Sequence, residues 1–246
     1  MAKNTANPVT AISRTAARLS FAGGATFVVL LAALHLIKPE LDPSWHFISE
    51  YAIGDYGWMM VLAFLSFALG YVALFVAIRT QTRTIVGKIG LVLLLVSAVG
   101  LTIAAIFTTD PITVSENAVT TEGTLHNLGG TLGLAMPFAA ALIGWKLARN
   151  PGWSSAKRPL LWATGLALVA FLVSFVSIGV LVSESDGKFG PDVLVGWPNR
   201  IEIMAYSVWL MVVAWQAIRV RDTWVLGPGR EGVVRRGENR PAEGDR

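Results

Sequence analysis

With 246 residues, 54% of them hydrophobic and only 15% charged, the chain is far more apolar than a soluble domain. The absence of cysteine excludes disulfides, thiolate nucleophiles and cysteine-based zinc sites. The formal net charge of +4 does not point to nucleic acid. Seventeen of the twenty Lys and Arg residues fall in alternate segments between apolar runs, a pattern that membrane insertion and contact with anionic lipid explain.

Six apolar runs, at 19–37, 58–78, 87–107, 126–146, 160–182 and 200–218, approach the roughly 20 residues needed to cross a bilayer as helices. Strands with alternating polarity are absent, which argues against a β-barrel. The expected fold is an all-α integral membrane protein, a bundle of six transmembrane helices with a short interfacial helix in the first outer loop. Residues 1–18 form a cytoplasmic N-terminal arm, 19–218 the membrane domain, and 219–246 a disordered basic cytoplasmic tail. The first span follows basic Arg14 and Arg18 as a signal peptide would. Its apolar run is too long, however, and Lys38-Pro39-Glu40 lacks a small-residue cleavage pattern, so it is expected to be retained.

The first outer loop, 38–57, opens with Asp42-Pro43, an N-cap followed by Pro at the first helical position. A helix of about three turns over 44–53, ending at Gly54, is expected next. Trp45, Phe47, Tyr51, Tyr56 and Trp58 give this segment an interfacial character, and His46, Ser49 and Glu50 would share one helical face. Arg79, Arg83 and Lys88 mark the next inner loop. The second outer loop, 108–125, carries Asp110, Glu116 and Glu122 and no basic residue. Thr124 is expected to cap the fourth span, with His126 and Asn127 in its first turn. Gly129 and Gly133 form a GxxxG for close helix approach, and Pro137 predicts a kink.

Lys146, Arg149, Lys157 and Arg158 occupy the following inner loop. The third outer loop holds Glu184, Asp186, Lys188 and Asp192, then Gly196-Trp197-Pro198-Asn199-Arg200. Pro198 is expected to start the sixth helix, with Arg200 and Glu202 in its first turns. Arg219 and Arg221 lie where anionic headgroups would be. All three histidines and eleven carboxylates thus fall in or beside one set of loops. The positive-inside rule places that set outside the cytoplasm and both termini inside, as in a multi-pass protein of the cell membrane.

Glu116, Glu184, Asp186, Asp192 and Asp42 read as caps and loop-solvating groups. His35, Asp110, His126, Arg200 and Glu202 differ, because they sit at or just inside span ends, where a charge faces a partner or a water-filled cavity. Together with Ser49 and Glu50 on the first loop they outline a polar pocket at the outer face: Ser49, Glu50, Asp110, His126, Arg200 and Glu202. Arg200 is expected to pair with a carboxylate, with Asp110, Glu50 and Glu202 as the candidates, although Glu202 lies two positions away on the same helix and should face elsewhere. His35, His46, His126 and Asp110 are ligand types for zinc, although no HExxH or paired-histidine spacing is present. The competing reading is histidines that serve hydrogen bonding and packing. Ser49, within one turn of His46 and Glu50, is badly aligned for a nucleophilic triad and reads as a hydrogen-bonding residue.

His35-x3-Pro39-x3-Pro43, Ile48-Ser49-Glu50-Tyr51 and Gly54-x2-Gly57-Trp58-Met59 resemble the opening of a multi-pass family known as domain of unknown function 998. Phe107-Thr108-Thr109-Asp110-Pro111 with Gly123-x2-His126-Asn127 resembles its central motif, and Asn199-Arg200 its last, with Asn where Gln is expected. The resemblance covers about residues 20–218. It implies a helical bundle and marks Ser49, Glu50, Asp110, His126 and Arg200 as the family-like polar set, without implying a reaction. A more distant analogy is to the alkaline-ceramidase and progestin-receptor-like lipid hydrolases, from which span count and histidine spacing depart.

The leading expectation is therefore a membrane protein whose outer pocket binds a lipid headgroup or small molecule, with Arg200 on an anionic group. The alternative is a metal-dependent membrane hydrolase acting at the outer leaflet. A small-solute transporter ranks third: no inverted repeat is evident, and only Ser97, Thr102, Ser174, Ser177 and Gln216 lie below the outer set. A purely structural cap that docks a partner protein is the fourth.

Overall fold

The structure, a computed structural model, describes residues 13–220. The expected disorder of the tail beyond residue 220 and the arm before Ser13 lie outside the described residues. The apolar runs are helices: α1 (Arg14–Ile37), α2 (Gly57–Ile78), α3 (Ile85–Ile106), α4 (Thr121–Gly133), α5 (Met136–Ala148), α6 (Lys157–Glu184) and α7 (Gly196–Arg219). With α4 and α5 taken as one, six are long and apolar enough to cross a membrane, and no strand occurs among the described residues. α1 begins at Arg14, so the last residues of the expected arm are helical. Ser13 caps it, its hydroxyl accepting from the Ala16 amide.

The fourth span is broken. Pro137 has no N–H to give, and its ring would collide with the carbonyl four residues back, at Gly133, where α4 ends. The amides of Leu134 and Ala135 instead reach back three residues, to Thr131 (3.1 Å) and Leu132 (3.2 Å), and α5 starts afresh with Pro137 in its first turn. The kink expected from the sequence is thus a full interruption. α4 also starts earlier than expected. Its cap is Thr120, whose Oγ1 accepts from the Gly123 amide at 2.9 Å, and not Thr124.

The helices close a ring in which α1 packs on α2, α2 on α3, α3 on α4 and α5, α5 on α6, α6 on α7 and α7 on α1, while α2 also touches α7 across the middle. Small residues set the closest approaches. A Cβ on Gly23 of α1 would meet Ser66 O at 2.5 Å and Gly70 Cα of α2 at 3.0 Å. Gly100 of α3 and Gly129 of α4 press backbone to backbone, each leaving no room for a methyl group. Gly133, the second half of the GxxxG, meets nothing at its own Cβ position, but its amide lies 3.0 Å from where a Gly100 Cβ would sit. Between the helices, Phe27 stacks on Phe67 with centroids 4.6 Å apart, and buried Trp209 donates its indole N–H to Thr164 Oγ1 at 3.2 Å.

The first connection departs from expectation. In place of a three-turn helix over 44–53, a turn leads to a five-residue 3-10 helix, Ile48–Ala52, followed by Gly54 at φ +69°. The reason lies in the backbone groups at its centre. The His46 carbonyl accepts from Arg200 and the Phe47 amide donates to Glu50, so neither is available to an α-helical ladder. The connections 38–56, 107–120 and 185–195 gather at one end of the ring, tied by the Gly196 amide donating to Ser44 O at 2.9 Å.

Candidate functional site

The charged candidates at that end fasten backbone. Glu50, only 2% exposed, accepts from three donors: the Phe47 amide (2.9 Å) and His46 Nδ1–H (3.0 Å) at Oε2, and the Ile112 amide (2.9 Å) at Oε1. It therefore ties the first connection to the second. Asp110 fixes the other end of the second connection. Its two oxygens accept from the amide and the hydroxyl of Thr120, both at 2.9 Å, which sets the first turn of α4. Asp42 does the same on a small scale through the Ser44 amide (2.8 Å), and that bond holds its carboxyl below the usual carboxylate range.

Arg200, 6% exposed, has no carboxylate among its partners, contrary to the expected ion pair. Its Nε–H donates to His35 Nε2 (2.9 Å), and NH1 to the carbonyls of His46 (2.6 Å) and Gly196 (3.2 Å). NH2 reaches the Tyr51 hydroxyl (3.4 Å), and the guanidinium lies 5.7 Å from the Tyr51 ring centre. His35 can accept because its other nitrogen, Nδ1, donates to Leu31 O at 2.7 Å, which assigns the ring proton. The fork geometry of a guanidinium suits such dispersed neutral acceptors, so Arg200 locks α7 to α1 and to the first connection. Buried Lys38 is used similarly, its ammonium donating to the carbonyls of Tyr51 and Ile53.

Beneath this cap, between α2, α3, α4, the α4–α5 break and α7, lies a cavity of about 210 Å³. Of the six proposed site residues, Ser49, His126 and Glu202 line it; Glu50, Asp110 and Arg200 do not. His126, 6% exposed, donates Nδ1–H to the Phe107 carbonyl at 2.9 Å, which leaves Nε2 as an acceptor. Glu202 accepts from the Tyr206 hydroxyl at 2.6 Å, one helical turn further along α7. Asn199 holds the wall in place by accepting from the Ile48 amide at 3.1 Å. Phe47, Ile48, Phe64, Phe67, Leu101, Leu134, Met136 and Ile203 supply the apolar lining. From Phe64 to Tyr71 on α2 the cavity runs inward for about 10 Å at 1.5 Å per helical residue.

Tyr71, Tyr206 and Asn199 are cavity residues that sequence reasoning did not put in the site. Tyr206 carried a signal, four positions after Glu202 on an apolar helix. Tyr71 carried none, because only the packing of α2 against α7 puts it on the same cavity wall as Glu202. The proposed metal set is dispersed: His35 serves Arg200, His46 serves Glu50, His126 serves Phe107, and Asp110 serves Thr120. Among the described residues no three His, Asp or Glu side chains converge as a metal site requires.

No curated protein and no solved structure matches the chain. The model of one family, described as protein of unknown function DUF998, matches residues 21–216. That match takes in 196 of the 246 residues, and the chain belongs to the DUF998 family.

Proposed function

We propose that this is a multi-pass protein of the cell membrane that binds a small amphiphilic molecule in the cavity beneath its polar cap. The carrying observation is the cavity itself: about 210 Å³, mostly apolar, with Glu202, His126 and Ser49 placed on its wall. Concave apolar sites with a few polar groups are the usual form of a small-molecule site. The volume falls below the roughly 300–1,000 Å³ typical of drug-sized ligands, so the occupant is small. Arg200 lies outside the cavity lining and spends its donors on His35, the Tyr51 hydroxyl and two carbonyls, so this reading does not use it as the contact for an anionic headgroup.

The cap faces away from the cytoplasm in this reading. Arg14, Arg18, Arg79, Arg83, Lys88, Lys146, Arg149, Lys157 and Arg158 at the other end of the helices support it through the positive-inside rule. Native mass spectrometry of the full chain, released from detergent, tests the site. A bound mass in the wild type that disappears in Leu101→Trp, which fills the cavity, is the expected result. Equal occupancy in both proteins would overturn the proposal.

A further inference from the structure

We infer that the cavity is built for an organic cation, a protonated amine on a small apolar body; this rests on the binding reading above and names its ligand class. Glu202 is the only formally charged side chain among the lining residues, and no Lys or Arg joins it. The two buried cations nearby, Lys38 and Arg200, end on carbonyls, an imidazole and a phenol outside the lining. The α4–α5 break adds Gly130, Gly133, Leu134 and Met136 to the wall, none of them charged.

His126 adds an acceptor, since its Nδ1–H is already given to Phe107 O. Aromatic rings close the sides: Phe64, Phe67 and Tyr71 from α2 and Tyr206 from α7. Rings with a negative face beside a carboxylate favour an ammonium group over a neutral or anionic one. An anion placed here would face Glu202 with no Lys or Arg among the lining residues to compensate it, which desolvation makes costly.

The experiment uses three probes of nearly equal size, phenethylammonium, 2-phenylethanol and phenylacetate, titrated by calorimetry into the purified full chain in detergent. Wild type, Glu202→Gln and Leu101→Trp are compared. The wild type is expected to bind the ammonium probe at least tenfold more tightly than the alcohol, and the carboxylate weakest. Glu202→Gln should weaken the ammonium probe at least tenfold and leave the alcohol within about twofold, and Leu101→Trp should weaken all three. If the alcohol or carboxylate binds the wild type as tightly as the ammonium, and Leu101→Trp abolishes this, the cation inference falls while the cavity survives as a binding site. If all three bind wild type and Leu101→Trp alike, or none binds the wild type, both readings fall. The order of the probes on wild type decides the charge question even where Glu202→Gln does not fold.

Discussion

Glu50→Ala is the most direct probe of the cap. The carboxylate is 2% exposed and accepts from two backbone amides, Phe47 and Ile112, and from His46 Nδ1–H. Removing it strands the two amides where water has little access, at about 1–3 kcal/mol for each buried donor left unmade. His46 is more open and can turn to solvent, so its bond adds less. The sum, about 3–5 kcal/mol, agrees with the usual loss when one partner of a buried charged cluster is deleted. At about 2–4 °C per kcal/mol for a chain of this length, the midpoint in detergent should drop by roughly 6–20 °C. Glu50→Gln keeps one strong acceptor and should recover part of the loss, whereas His46→Ala should cost only about 1 kcal/mol. Amide exchange at Phe47 and Ile112, 65 residues apart in sequence, should accelerate together. If Glu50→Ala shifted the midpoint no more than His46→Ala, or if only one of the two amides exchanged faster, the clamp would not exist as described.

Arg200→Lys should destabilise by about 2–4 kcal/mol despite conserving charge, because an ammonium cannot reach His35 Nε2 and the His46 carbonyl at once; thermal unfolding alongside Arg200→Met checks whether the two variants fall equally. Gly100→Val places a branched side chain against the Gly129 carbonyl and should separate α3 from α4, at a cost of about 1–3 kcal/mol in the same assay. Asn199→Ala releases the Ile48 amide and should cost about 1 kcal/mol in stability while weakening phenethylammonium at least tenfold, since Ile48 and Ser49 form the cavity wall; calorimetry on the folded variant separates the two effects. A reporter active only outside the cytoplasm, inserted after Ser115, should be active, and one inserted after Thr82 should be silent; the reverse pattern would invert the topology.

The spans were legible because a bilayer leaves few ways to use about 20 consecutive apolar residues. Their ends were legible to within about five residues, and the miss at Thr120 came from a long-range effect: Asp110 holds that cap from ten positions away. The charged residues at the span ends were correctly singled out as needing partners. Their partners were not readable. Coulomb's law suggests a carboxylate for Arg200, yet the His46 carbonyl, left out of any helical ladder in the turn after Asp42, needs a donor just as much, and a guanidinium can serve several acceptors at once. The cavity was invisible for a related reason. Its wall is assembled from Gly100 of α3, Gly129 of α4, the break at Leu134 and residues of α2 and α7, and no local pattern in the sequence says that these segments meet.

The cap and the cavity divide the polar residues between two tasks, and the division follows from charge and position. Arg200 and Glu202 sit two apart on α7, about 200° around the helix, so one cannot follow the other. Arg200 turns to the backbone of the first connection, and Glu202 turns inward to Tyr206 and the cavity. Fastening that connection with Arg200, Lys38 and Glu50 also fixes Phe47, Ile48 and Ser49, which are the cavity's upper wall. The groups that look most like a reactive centre in sequence therefore hold the shape of the cavity, and the binding proposed for it would rest on Glu202, His126 and the rings around them.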